Sequence, residues 1–115
     1  MSETVFEKIL SGELPADFVY EDDKVVAFKD LYPQAKIHLL FIHREKTSHV
    51  NEMMQKSESQ LLDLFRAINR YVEQHNLTEK GFRIVTNCGK EGGQTVFYTH
   101  FHLLAGEQLA SFGRS

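Results

Sequence analysis

The 115-residue chain has little cysteine, no excess of basic charge and no long apolar run. Its one cysteine, Cys88, excludes an intramolecular disulfide and a cysteine-rich zinc site, and it suits a reducing compartment. We expect Cys88 to be a small, semi-buried residue. The formal net charge of −3 offers no basic stripe for duplex nucleic acid, whereas a site for a free nucleotide is compatible with it.

No segment reaches the roughly 20 apolar residues that a membrane-spanning helix needs. Residues 1–7 carry an early acidic residue and lack the basic start and apolar stretch of a secretion signal. We therefore expect a cytoplasmic protein without a membrane partner. A hydrophobic content of 42% over this length predicts a single domain, residues 1–115, with a short C-terminal tail from about residue 107.

Two histidines alternate with large apolar residues in the segment 94–104, a pattern typical of a strand. Side chains two apart on a strand point to the same face, so His100 and His102 are expected to share one site. The preceding loop, residues 87–93, contains three glycines and could bring backbone N–H groups close to an anion such as phosphate. Paired imidazoles beside such a loop indicate phosphate chemistry.

The first half of the chain predicts a short helix and three strands. Thr4 and Glu7 have the spacing of a capping box before a helix that ends at Leu10. Residues 18–20 and 25–28 are β-prone runs that flank a polar, acidic turn, which predicts a hairpin. Residues 37–42 resume as a buried strand that contains His38.

The second half predicts one long helix and two further strands. Ser57 and Gln60 have the spacing of a second capping box, and apolar residues then recur at helical spacing as far as His75. Residues 82–86 and 96–104 are the fourth and fifth strands, joined by the glycine-rich loop. Five strands and two helices indicate an α+β domain. Three further histidines are expected at the surface: His43, His49 and His75.

Three segments resemble a known family. Residues 92–104, GGQTVFYTHFHLL, resemble the signature of the histidine triad (HIT) superfamily, His-φ-His-φ-His-φ-φ, in which φ is hydrophobic. Residues 6–16 and 27–35 resemble its Hint branch, the histidine triad nucleotide-binding proteins. The resemblance covers the chain from Val5 to about Gly106. Tyr98 departs from the signature because it occupies the position of the first triad histidine.

The resemblance implies a HIT-like α+β fold with a five-stranded antiparallel sheet, one long helix and one short helix. It also implies a homodimer in which two sheets form one sheet of ten strands. The implied activity is hydrolysis of a purine nucleoside phosphoramidate or related nucleotide through a covalent nucleotidyl-histidine, without a cofactor or metal. Leu62, on the long helix, is expected to serve the core rather than a subunit contact.

Motif position implies the role of each candidate catalytic residue. The nucleophile is His100, since a neutral imidazole nitrogen is a good nucleophile and the phosphoramidate that it forms is labile. His102 is expected to hold the phosphate and assist departure of an amine, and His38 to orient or support it. Tyr98 replaces an imidazole that helps to orient the nucleophile, so we expect reduced but not abolished turnover.

Other positions match nucleotide-binding residues of the family. Asp30 matches the carboxylate that accepts hydrogen bonds from the ribose hydroxyls. The positions around the phosphate and leaving group, which offer amide, backbone N–H and hydroxyl groups, are Asn87, Gly93, Gln94 and Thr95. The positions near the purine pocket, which are apolar, are Phe6, Ile9 and Phe28.

Two alternatives stay open. A nucleotide-binding regulatory or interaction module without significant turnover is favoured by the missing triad histidine. A zinc site made from His38, His100 and His102 is the other, because three imidazoles can serve as zinc ligands. The motif lacks an accompanying carboxylate, which weighs against the metal.

Overall fold

The computed structural model describes residues 3–112. In this range no helix has the length and apolar character needed to cross a membrane. The end of the tail, residues 113–115, lies outside the described residues. The elements in chain order are α1 (Val5–Leu10), β1 (Phe18–Glu21), β2 (Val25–Lys29), β3 (Ile37–His43), α2 (Val50–Lys56), α3 (Ser59–Gln74), β4 (Arg83–Val85) and β5 (His100–Ala105).

The five strands form one antiparallel sheet in the order β1-β2-β3-β5-β4. The α+β class and the five-stranded sheet predicted from sequence are therefore confirmed. β5 lies between β3 and β4, although it is the last strand in the chain. This placement puts the segment with the paired histidines beside the strand that carries His38.

The sheet has two faces with different contents. On one face, alternate residues of the strands, among them Leu39, Phe41 and Leu103, pack with α3 in the larger core cluster. On the other face, Leu40 and Ile42 pack with residues of α1 in a smaller cluster. His38, His100 and His102 alternate along β3 and β5 with residues of the larger core, so these three histidines lie on the second face.

Local signals position α1 and the β1–β2 hairpin. The Thr4 hydroxyl accepts from the Glu7 N–H, and the Glu7 carboxylate accepts from the Thr4 N–H, so the predicted capping box is confirmed. In the hairpin turn, the Asp22 carboxylate accepts from the backbone N–H groups of Lys24 and Val25, both at 2.7 Å. Asp22 is therefore a structural turn residue.

The helix boundaries after β3 differ from the prediction. α2 was not predicted, since its seven residues are mostly polar and too few to show helical periodicity. Ser57 ends α2, and the predicted capping box at Ser57 and Gln60 is wrong. The Gln60 side chain instead turns inward and donates to the Glu45 carboxylate at 3.1 Å.

The fifth strand begins at His100 and not at residue 96. The apolar run predicts a strand because residues 96–99 are β-prone, but they lie outside the sheet. The Thr99 N–H donates to the Thr47 carbonyl at 2.8 Å, and the Tyr98 hydroxyl donates to the His43 carbonyl. Contacts with the β3–α2 connection replace strand pairing in this segment.

Three burial predictions are wrong. His43, expected at the surface, is 3% exposed, and its Nε2 lies 2.9 Å from the Asp63 carboxylate of α3. Leu62, expected in the core, is 52% exposed because it lies away from the face of α3 that meets the sheet. Cys88, expected to be semi-buried, is exposed.

Leu64→Ala and Leu62→Ala form a matched pair on α3. Leu64 is fully buried, so its truncation should lower the free energy of unfolding by about 2–5 kcal/mol. The same change at exposed Leu62 should stay within about 0.5 kcal/mol. Urea unfolding followed by circular dichroism measures both values, and equal losses in the two variants would contradict this packing of α3.

Candidate active site

The pairing of β3 with β5 brings three histidines together. Leu40 pairs with His102 and Ile42 with His100, so His38, His100 and His102 share the face opposite the larger core. The ring centroids of His100 and His102 are 5.1 Å apart, as are those of His38 and His102. The prediction that the two strand histidines face one site is confirmed.

Backbone hydrogen bonds determine which nitrogen of His38 carries a proton. The Gln34 N–H donates to His38 Nδ1 at 2.9 Å, so Nδ1 is the acceptor. In the neutral ring the proton therefore lies on Nε2. That nitrogen is 2.8 Å from His102 Nδ1 and 3.4 Å from the Asp30 carboxylate.

The His38 hydrogen bond in turn determines the proton position on His102. His38 Nε2–H donates to His102 Nδ1, so the proton of neutral His102 lies on its Nε2. His102 therefore offers one N–H donor beyond the hydrogen-bonded pair. An N–H of this kind can bind a phosphate oxygen or donate to a leaving amine.

His100 has the opposite arrangement. Its Nδ1 lies 2.7 Å from the backbone carbonyl of Tyr98, which can only accept, so Nδ1 carries the proton. The lone pair of Nε2 is then free to attack an electrophile. Phe6 packs edge to face against this ring, with centroids 5.0 Å apart at 89°.

Tyr98 acts on His100 through its main chain. The Tyr98 side chain makes no hydrogen bond to the His100 ring, and the group that receives His100 Nδ1–H is the Tyr98 main-chain carbonyl. The Tyr98 hydroxyl donates to the His43 carbonyl instead. Tyrosine at the position of the first triad histidine therefore leaves this hydrogen bond to His100 in place, and the reduced turnover expected from Tyr98 stays a prediction.

Burial keeps the imidazoles neutral at pH 7. Burial lowers the pKa of His102 to about 4, with a further decrease from the neighbouring His100 and His38. Burial also lowers the pKa of His100 and His38; the decrease is partly offset at His100 by the hydrogen bond to the Tyr98 carbonyl and then by Asp30, and at His38 by Asp30. Burial raises the pKa of the Tyr98 phenol, so that group stays protonated.

Asp30 lies at the edge of the histidine cluster. One carboxylate oxygen accepts from the Tyr32 N–H at 2.8 Å, and the other is 3.4 Å from His38 Nε2. Asp30 is partly exposed, so it can reach both the histidine pair and a bound molecule. This position is compatible with the predicted ribose contact.

Among the described residues, Asp30, His38 and His102 form one group with ligand atoms within 4.8 Å of one another. The zinc hypothesis named His100 in place of Asp30, and His100 is not a member of this group. Two imidazole nitrogens on one tetrahedral zinc would lie about 3.3 Å apart, given Zn–N distances of about 2.0–2.1 Å. The 2.8 Å between His38 and His102 is a hydrogen-bond distance, so the spacing favours a proton there.

The glycine-rich loop uses its own donors internally. The Gly93 N–H donates to the Lys90 carbonyl at 3.0 Å, and the Gln94 N–H donates to the Gly89 carbonyl at 3.0 Å. In this arrangement the predicted Gly93 donor is not available to a phosphate. Gly92 lies where an added Cβ would sit 2.4 Å from the Cys88 carbonyl oxygen, so this turn requires glycine.

The side chains of Gln94 and Asn87 also support the loop. The Gln94 amide donates to the carbonyls of Ser48 and Val96 and accepts from the Gly89 N–H. Both N–H donors of this amide are therefore used within the protein, so in this arrangement neither is available to a phosphate oxygen. The Asn87 amide donates to the Gly92 carbonyl at 2.7 Å.

The remaining predicted binding residues are Thr95, Phe6, Ile9 and Phe28. Thr95 is exposed beside the loop, so its hydroxyl is accessible. Phe6 and Phe28 are buried and pack edge to face, with centroids 5.4 Å apart, and Ile9 packs partly buried against them. These three form an apolar wall next to His100, which is consistent with a nearby purine pocket.

Sequence reasoning missed two groups that organise the site. The Gln34 N–H belongs to the backbone, so no side-chain pattern could reveal it. Thr99 occupies a φ position of the signature, and a hydroxyl residue there was an available signal. It is 1% exposed and hydrogen-bonds to Thr47, which is 4% exposed.

The chain matches the HIT domain family over residues 11–109 and belongs to that family. It is 39% identical to the purine nucleoside phosphoramidase of Escherichia coli, covering 93% of this chain and 90% of the relative. It is 38% identical to the adenylylsulfatase HINT1 of Arabidopsis thaliana, covering 94% and 74%. A HIT family hydrolase structure from Clostridium thermocellum superposes with a TM-score of 0.89 at 40% identity, covering 96% of each chain.

The proton positions predict a specific NMR result at pH 7. Long-range ¹H–¹⁵N spectra should show His100 protonated on Nδ1, because that nitrogen faces the Tyr98 carbonyl. They should show His102 protonated on Nε2, because its Nδ1 accepts from His38. His75→Gln, at an exposed histidine, should leave both patterns unchanged. Finding both rings in the same tautomer would contradict the proposed chain of hydrogen bonds.

The lowered pKa of His102 predicts that the free energy of unfolding decreases as the pH is lowered. The unfolded chain binds a proton near pH 6.5, while folded His102 resists it down to about pH 4, so acidification favours unfolding. Between pH 7.5 and 5 this group should cost on the order of 1 kcal/mol after allowance for solvent screening. Urea unfolding of wild type and His102→Asn at both pH values tests this, and an unchanged pH dependence in the variant would contradict it.

Proposed function

We propose that this protein hydrolyses purine nucleoside phosphoramidates or related nucleotides through a nucleotidyl-His100 intermediate. The observation that carries the proposal is the pair of contacts on one face of the sheet, His100 Nδ1 on the Tyr98 carbonyl and His102 Nδ1 on His38 Nε2, which assign a free Nε2 lone pair to His100 and an Nε2–H to His102. The named activities of the E. coli and A. thaliana relatives support the substrate class.

In the first step, His100 Nε2 attacks the α-phosphorus and forms a P–N bond. The bond between phosphorus and the leaving amine breaks, and the amine departs with a proton. His102 Nε2–H binds a phosphate oxygen as charge develops, and the proton that the departing amine takes up comes from solvent, because neutral His102 would become an imidazolate if it lost its only N–H. As the P–N bond forms, positive charge develops on the His100 ring, and its Nδ1–H interaction with the Tyr98 carbonyl stabilises that charge.

In the second step, water attacks the same phosphorus and breaks the bond to His100 Nε2. The attacking water releases a proton to solvent, which balances the proton taken up by the amine in the first step, and the nucleoside monophosphate leaves. Each displacement has a lower barrier than direct attack of water on the phosphoramidate. The lowered pKa of His100 keeps the Nε2 lone pair of the nucleophile unprotonated at pH 7. The lowered pKa values of His38 and His102 keep the two neighbouring rings uncharged.

We assign substrate binding to residues around this centre. Asp30 binds the ribose hydroxyls, and the apolar wall formed by Phe6, Ile9 and Phe28 borders the purine. Thr95 contributes a hydroxyl near the phosphate or leaving group, whereas Asn87, Gly93 and Gln94 maintain the loop that presents it. The proposal includes no cofactor or metal, and it places the protein in the cytoplasm as a single HIT domain.

Release of AMP from adenosine 5′-phosphoramidate tests the proposed activity. His100→Gln should lower kcat on the order of 10³-fold or more, because it removes the nucleophile. The matched change His75→Gln, at an exposed histidine after α3, should keep kcat within about 2-fold, as expected for a residue outside the site. Equal rates in wild type and His100→Gln would contradict hydrolysis at this site.

We also propose that the protein is a homodimer with a continuous ten-stranded sheet. The sheet ends in two edge strands, β1 and β4, and a symmetric copy would have to pair with one of them. Sedimentation equilibrium should give twice the chain mass of 13.3 kDa. A mass of one chain at micromolar concentration would contradict the dimer.

A further inference from the structure

The peptide group between Tyr98 and Thr99 makes two hydrogen bonds, one through its carbonyl and one through its N–H. Its carbonyl accepts from His100 Nδ1 at 2.7 Å, and its N–H donates to the Thr47 carbonyl at 2.8 Å. The peptide lies just before β5, so sheet hydrogen bonds do not hold it. Whatever fixes this peptide therefore also fixes the ring that it orients.

Two buried side chains fix the peptide from either side. The Tyr98 hydroxyl donates to the carbonyl of His43, the last residue of β3. Thr99 Oγ1 donates to the Thr47 carbonyl at 3.1 Å and lies 2.6 Å from Thr47 Oγ1. Since Thr99 uses its proton on the carbonyl, the Thr47 hydroxyl is the donor in the second contact.

The three side chains are almost completely buried. Tyr98 and Thr99 are each 1% exposed, and Thr47 is 4% exposed. Water cannot replace a lost partner at such depth, so each hydroxyl must keep its hydrogen bond. Both signature departures in this chain, Tyr98 for histidine and Thr99 for a hydrophobic residue, make contacts with residues 43–47.

We propose that Thr47, Tyr98 and Thr99 are positioning residues, which hold the Tyr98–Thr99 peptide so that its carbonyl receives the proton of His100 Nδ1. The kinetic consequence of this proposal rests on the proposed function of His100 as nucleophile. The structural consequence, the tautomer and orientation of His100, does not depend on any activity.

Thr99→Val removes the hydroxyl while keeping a β-branched side chain of similar volume. The buried Thr47 hydroxyl loses its acceptor, and the Thr47 carbonyl loses one of two donors. We expect kcat to fall about 10- to 100-fold with KM within about 2-fold, since a small displacement of a reacting group has an effect of this size. Thr99→Ser keeps the hydroxyl and should restore kcat to within about 3-fold of wild type.

Thr78→Val, at an exposed turn residue, is the matched control and should leave kcat unchanged. Long-range ¹H–¹⁵N spectra of each variant supply a readout that a purely stabilising role would not move. In Thr99→Val, but not in Thr99→Ser, the Nδ1–H tautomer of His100 should lose population. If Thr99→Val does not fold, Thr47→Val and Tyr98→Phe, which each remove one hydroxyl, serve the same test.

The outcomes separate the two proposals. If wild type releases no AMP, the proposed function fails, and the His100 spectra of Thr99→Val and Thr99→Ser still test the positioning role. A spectrum and kcat unchanged in Thr99→Val, a loss of thermal stability alone, or an equal loss in Thr99→Ser and Thr99→Val would each overturn the positioning role.

Discussion

The antiparallel pairing of β3 with β5 is the constraint on which the site depends. Its register places Leu40 opposite His102 and keeps His38, His100 and His102 on one face. A shift of one residue would turn both β5 histidines toward α3 and move Phe101 and Leu103 out of the larger core. The apolar packing that stabilises the sheet therefore also selects the face that carries the three histidines.

Backbone groups then give each imidazole its chemical role. The Gln34 N–H donates to His38, and His38 in turn donates to His102 Nδ1, so the proton of His102 lies on Nε2. The Tyr98 carbonyl accepts from His100 Nδ1, so the lone pair of His100 lies on Nε2. Burial keeps all three rings neutral at pH 7, which favours a nucleophile over a cation. His100 and His102 thus carry their protons on different ring nitrogens because one faces an acceptor and the other a donor.

Sequence patterns predicted the parts of the fold that depend on local signals. The Thr4–Glu7 capping box, the β1–β2 hairpin and the alternation around His100 and His102 all correspond to observed elements. The short helix α2 escaped prediction because seven mostly polar residues carry no periodic signal, and residues 96–99 were misassigned because tertiary contacts override their β propensity.

Long-range geometry explains what the sequence did not reveal about the site. Position 98 drew attention as a missing histidine, yet its direct contact with His100 is made by a main-chain carbonyl that no residue type specifies. Gly93 and Gln94 were placed near the phosphate and leaving group by their match to family positions, but their N–H donors are engaged by carbonyls of the protein. Only the folded arrangement shows whether a polar group is already engaged.

The measurement that tests the central claim most directly is a rapid-quench single turnover of adenosine 5′-phosphoramidate, followed by mass spectrometry of the digested protein. The account predicts a transient AMP adduct on the peptide that carries His100, formed and lost at rates consistent with turnover. AMP release without any adduct on that peptide, under conditions in which a stable adduct standard is recovered, would contradict the nucleophilic role of His100.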